Sequence, residues 1–142
     1  MALLAKKEII MTNELLIITQ TADLLNQIGK AKIDYITAEL SPFSNQQRPD
    51  LVYYPSLIDK PVFVEYKLNA STLSPAFWNS FDEKKKFVEE SSEVDIDYVF
   101  VTNDKLNDDI KSLLRNLNVN IFESIDDANS LFSEIKKNYY GK

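Results

Sequence analysis

The chain has 142 residues, 44% of them hydrophobic, and a formal net charge of −6, enough for one continuous core over residues 1–142 but too short for a second full domain. It contains no cysteine and no histidine, which excludes disulfides, thiolate nucleophiles, sulfur- or imidazole-bound metals and Ser-His-Asp chemistry, and leaves carboxylate, lysine, hydroxyl and amide as the catalytic vocabulary. With only two glycines, Gly29 and Gly141, neither a Walker-type phosphate loop nor a dinucleotide-binding glycine turn can be assembled, and the negative charge argues against a broad basic footprint for nucleic acid.

The apolar start from Met1 to Met11 is interrupted by Lys6, Lys7 and Glu8, so no secretion signal and no membrane span are expected, and the lack of cysteine is compatible with a reducing cytoplasm. Glu14 to Ile28 fits a helix, with Asn13 as N-cap and Gly29 as terminator. Ile17, Ile18, Ala22, Leu25 and Ile28 gather on one face, and Glu14 falls inside that apolar face. Leu3, Leu4, Ile10 and Met11 extend the stripe upstream, which leaves open one long helix from about Leu3 or a separate short one.

Alternation in KIDYITAEL predicts a strand from Ala31 to about Leu40, followed by the loop SPFSNQQRP. Two strands come next, Leu51 to Tyr54 and Pro61 to Lys67, joined by a turn around Ser56 to Asp59. Side chains alternate faces along a strand, so Glu65 and Lys67 share a face. A turn around Ser56 to Asp59 sets Asp50 opposite either Glu65 or Lys67, and both registers keep all three on that face. Two carboxylates and an ammonium beside runs as apolar as LVYY and VFV are costly to bury unless they pair or hold a cation, which marks a candidate site.

Ser74-Pro75 predicts the start of a helix running to about Glu90, with Phe77, Phe81 and Val88 on its buried edge. Lys84 to Lys86 ride on it, a run that is more often a solvated face than a phosphate site, just as Phe77, Trp78 and Phe81 are more often core anchors than a platform for bases. Asp97 to Thr102 reads as a strand buried on both faces, Lys105 to Leu117 as a helix, and Val119 to Phe122 as a last short strand. Ser124 followed by Asp127 looks like a capping pair opening a final helix to about Asn138. Antiparallel strands first and alternating units later predict an α/β fold, a mixed sheet flanked by helices on both sides.

Pro49-Asp50 and Glu65-Tyr66-Lys67, separated by a hairpin and set in helix-strand-strand-strand-helix-strand order, resemble the PD-(D/E)XK nuclease superfamily with its restriction-endonuclease-like fold, over roughly Glu14 to Thr102. The resemblance implies a Mg²⁺- or Mn²⁺-dependent endonuclease that hydrolyses phosphodiester bonds of DNA, with RNA left open, as a homodimer. Asp50 and Glu65 would hold the metal with the backbone carbonyl of Tyr66, and Lys67 would orient or deprotonate the attacking water. Glu14 is the candidate extra acidic residue, with Glu39 competing for the role, and Gln46, Gln47 and Arg48 stand where they could touch substrate. No separate recognition domain fits in the chain, so specificity would come from loops, the dimer or a protein partner. The competing expectation is a catalytically silent module that keeps the nuclease fold for binding nucleic acid or protein.

Overall fold

The computed structural model describes residues 2–34, 50–55, 60–92 and 95–140, with the backbone alone given at 2–12, 34, 50, 84, 87–88, 91–92 and 140. A single helix of 24 residues, α1 (Ala2–Leu25), opens the chain. This is the longer of the two N-terminal arrangements. Its buried stripe of Ile17, Ile18, Ala22 and Leu25 is the one the periodicity predicts, and Glu14 lies within it at 6% exposure. Thr21 belongs to the same stripe because its hydroxyl donates to the Ile17 carbonyl at 2.7 Å, inside the helix.

Helix α1 ends at Leu25, three residues before the expected Ile28, and Gly29 closes that end by donating its amide to the Leu25 carbonyl at 2.9 Å, without a positive φ. A Cβ at Gly29 would stand 2.8 Å from Tyr53 Cε1 and 3.1 Å from the Tyr54 carbonyl oxygen. Glycine is needed there because the ring of Tyr53 closes over the backbone.

Strand β1 (Lys30–Asp34) covers the first half of the predicted strand, and the remainder lies outside the described residues. It pairs antiparallel with β2 (Asp50–Tyr54), which pairs antiparallel with β3 (Val62–Lys67). The connecting turn expected at Ser56 to Asp59 is outside the described residues. After β3 come a 3₁₀ turn (Ala70–Thr72) and two helices, α2 (Pro75–Asn79) and α3 (Phe81–Ser92), where one continuous helix was expected. Ser74 does cap the first, its Oγ accepting from Phe77 N at 3.3 Å. The break falls at Ser80, whose hydroxyl donates back to the Ala76 carbonyl at 2.9 Å and closes the short helix.

Strand β4 (Asp97–Thr102) runs parallel to β3, as a crossover through helices requires. Helix α4 (Asp108–Asn116) starts later than the apolar spacing suggests, because Asn107 is its N-cap, with Oδ1 accepting from Ile110 N at 2.9 Å. Strand β5 (Val119–Phe122) is parallel to β4 and completes a five-stranded mixed sheet in the order β1-β2-β3-β4-β5. Helix α5 (Ala128–Ile135) follows, extended by a π-helical turn (Lys136–Tyr140). Asp127, rather than Ser124, caps α5 by accepting from Ser130 N at 2.7 Å. Ser124 instead takes a left-handed turn at φ 59°.

Strand alternation divides the core in two. One face of the sheet carries Tyr53, Val62, Val64, Tyr66, Val99 and Val101 against α1 and α5. The other carries Val52, Phe63, Tyr98 and Phe100 against Trp78, Phe81 and Leu114 of α2, α3 and α4. The architecture is thus α/β, with β3 and β4 at its centre and buried on both sides. Trp78 and Phe81 are core anchors, 6% and 1% exposed, stacked around Phe100 at ring distances of 5.4 and 5.8 Å. Lys86, largely exposed, pairs i,i+4 with Asp82 as a solvated helix face does, whereas Lys85, 13% exposed, is turned inward and pairs with Glu89. Among the described residues no helix is long and apolar enough to cross a membrane.

Candidate functional site

The candidate residues of β3 lie at its carboxyl end. Glu65 stands opposite Phe100 and Lys67 opposite Thr102 in the parallel ladder with β4. On the other side, the antiparallel ladder with β2 pairs Val52 with Phe63 and Leu51 with Val64. The ladder ends at Leu51 with Val64, and its register extended by one step would set Asp50 level with Glu65, one of the two pairings the sequence allows. In β1, Asp34 is the register partner of Asp50, a relationship that alternation along KIDYITAEL could not reveal. The side chain of Asp50 lies outside the described ones, as do Glu39, Gln46, Gln47 and Arg48 altogether.

Glu65 is 1% exposed, on the aromatic face of the sheet. Removing a carboxylate from water is expensive unless donors replace the lost hydration. One such donor is the hydroxyl of Tyr98, which binds Glu65 Oε1. The Tyr98 ring is held 5.0 Å from Phe63 and 5.6 Å from Phe81, so this donor sits in a rigid aromatic wall. Sequence reasoning had not singled out Tyr98. Its signal was parity: in β4 it is two residues from Phe100, the partner of Glu65, and therefore on the same face.

Lys67 is partly exposed, with its ammonium 6.0 Å from the centroid of Phe77. Tyr66, between Glu65 and Lys67, belongs to the opposite face and donates its hydroxyl to the Ile125 carbonyl at 2.6 Å. Burial pushes its phenol well above the ordinary value, with Asp126, Glu14 and Asp127 adding to the effect.

Glu14 reaches the same end of β3 from the α1 layer. Its Oε1 accepts from Leu68 N at 3.1 Å, the amide directly after Lys67. The candidate residues Glu14, Glu65 and Lys67 are therefore all tied to the carboxyl end of β3, two through that strand and one through a helix packed on it. Among the described residues no three acidic side chains form a group able to hold a metal, a set from which the Asp50 side chain is missing.

The carboxyl ends of β3 and β4 are laced together by polar groups that the sequence did not flag. Thr102, fully buried, accepts from Ala70 N at 3.3 Å and from Asp104 N at 3.2 Å. Asn103 Oδ1 accepts from Asn69 N at 2.7 Å, and Asp104 Oδ2 accepts from Ser71 N and Oγ at 3.1 and 2.6 Å. These bonds fix the loop after Lys67, at the strand ends where open α/β sheets hold their ligands. No protein-family model, curated protein or solved structure matches the chain. Chemically, the carboxylates of Glu65 and Glu14 are oxygen donors of the kind a hard divalent cation takes, held on opposite faces of the sheet because α1 covers the face away from Glu65.

Proposed function

We propose that the protein is a metal-dependent endonuclease of the PD-(D/E)XK type, with a restriction-endonuclease-like fold, hydrolysing phosphodiester bonds of DNA. What supports the reading is the register between β2 and β3, which, extended one step past Leu51 and Val64, would set Asp50 level with Glu65, with Lys67 two residues further along the same strand. The mixed sheet with antiparallel strands first and parallel strands after agrees with it.

An all-oxygen donor set fits Mg²⁺ or Mn²⁺, and Asp50, Glu65 and the Tyr66 carbonyl would hold the ion. When bound, such an ion supplies neutralisation of the scissile phosphate and activation of water. Lys67 then orients the attacking water and stabilises the negative charge that develops on the phosphoryl oxygens. Glu14 fixes the end of β3 through the Leu68 amide, and its charge would add to the negative field around that strand end. Cutting both strands of a duplex calls for two sites, hence a symmetric homodimer, working in the cytoplasm, with specificity drawn from loops or a protein partner. RNA is the alternative substrate.

One observation favours a second reading, a silent nuclease-fold module that binds nucleic acid or protein. Glu65 is sealed from solvent and held by Tyr98, as a purely structural carboxylate would be. Incubation with supercoiled and linear DNA, with and without Mg²⁺ or Mn²⁺, separates the two. Metal-dependent nicking that disappears in Asp50→Ala and Lys67→Ala supports the enzyme. Cleavage unchanged by both substitutions sinks the assignment, and no cleavage on any substrate favours the module.

A further inference from the structure

We infer that Tyr98 is a positioning residue for the proposed metal site, its hydroxyl holding the Glu65 carboxylate in the orientation in which a divalent cation binds it. The inference rests on the reading of Glu65 as a metal ligand and extends it to a residue on another strand.

Packing alone does not call for a hydroxyl at this position. Phe63, Phe81 and Phe100 fill the surrounding space with plain rings, and Tyr98 itself is 1% exposed, so a phenylalanine would occupy the same volume. Nor does packing call for a carboxylate at Glu65. When a buried donor and acceptor are both replaced by apolar groups of similar shape, stability is nearly unchanged. With Glu65 as a metal ligand, the phenol's part is steric and electrostatic. It removes the rotational freedom of a long side chain, and it stabilises a negative charge that the aromatic wall would otherwise disfavour. The register makes the reach possible: Phe63 is level with Tyr98 and Glu65 with Phe100, so Tyr98 and Glu65 are diagonal neighbours on one face, within span of a phenol. Hydrogen-bonded partners of this kind tune metal affinity by orienting a ligand that they do not replace.

The test is Mn²⁺ binding by the full chain, measured by titration calorimetry without DNA, together with the Mg²⁺ concentration giving half-maximal plasmid nicking. Tyr98→Phe, which keeps the ring and its contacts with Phe63 and Phe81, is expected to weaken Mn²⁺ binding by about 10- to 100-fold and to raise the Mg²⁺ requirement while saturating metal restores most of the rate. In a Glu65→Gln background the same substitution should have no further effect, because the group it orients is gone. A thermal melt on each sample identifies any variant that has lost its fold, and Tyr98→Met, which fills the space without a donor, then takes the place of Tyr98→Phe. Two results overturn the inference and are told apart by Glu65→Gln. If that variant weakens Mn²⁺ binding and Tyr98→Phe does not, Tyr98 has no positioning role and the metal site stands. If wild type binds no Mn²⁺, or Glu65→Gln binds it as wild type does, the metal site fails and the inference falls with it.

Discussion

The hydroxyl of Tyr66 donates to the carbonyl of Ile125 at 2.6 Å, joining the centre of the sheet to the segment that leads into the last helix, 59 residues away. Both groups are buried, so removing the donor leaves a carbonyl without that bond in an apolar setting. Tyr66→Phe is expected to lower stability by about 1–2 kcal/mol in urea denaturation. Metal-dependent cleavage should survive, since the backbone carbonyl proposed as a ligand is unchanged.

Alkaline instability follows from the same burial. Burial pushes the Tyr139 phenol up to about 12, against the amide of Asn120 that donates to it at 2.7 Å, and burial raises Tyr66 as well. A group whose folded value is raised contributes fully below its unfolded value, here 10.0, and that contribution is lost as the pH climbs through the folded value. The midpoint of thermal unfolding should fall steadily above about pH 10, and less steeply in Tyr66→Phe. An unchanged slope in that variant would place the alkaline transition elsewhere.

Acid sensitivity has a different source. Burial favours the neutral form of Glu123, but the Leu106 amide at 2.6 Å and the Lys111 ammonium at 3.0 Å outweigh it and hold the carboxyl below its ordinary 4.5. The resulting stabilisation is complete above that ordinary value and is lost as the pH falls through the depressed one. Glu123→Gln should cost about 1 kcal/mol near neutrality and flatten the acid limb of the stability curve.

Gly29→Ala tests the close approach of Tyr53. The added methyl would meet the ring at 2.8 Å with no backbone strain to blame, since φ there is not positive. A loss of about 1–3 kcal/mol is expected, and Tyr53→Leu in the same chain should recover part of it. A double variant whose loss equals the sum of the two single losses would show that the two residues do not couple.

Glu14 allows its structural and chemical parts to be separated. Glu14→Gln keeps an oxygen that can accept from Leu68 N, so the melting temperature should hold. Nicking should nevertheless drop by about tenfold if the negative charge serves the metal. Glu14→Ala should lower both.

Much of this protein was legible along the chain because local periodicity carries it. Alternation in DLVYY and VFVEYK assigned Glu65 and Lys67 to one face and Tyr66 to the other, and the 3.6-residue period of α1 placed Glu14 on the buried stripe. The apolar runs at Asp97–Thr102 and Val119–Phe122 defined their strands to the residue. Boundaries went astray where a single polar side chain decided them: Ser80 splitting a helix, Asn107 delaying one, Asp127 replacing Ser124 as a cap.

By itself the sequence determined the α/β class, the parity of side chains along the strands and the lack of imidazole and thiolate groups, all properties of residue type and short spacing. Only the tertiary structure decided that Tyr98 meets Glu65, that Glu14 accepts from Leu68 and that Tyr66 holds Ile125, across 33, 54 and 59 residues. Such pairs arise from which strands lie side by side and which helix covers them, and no local pattern encodes that.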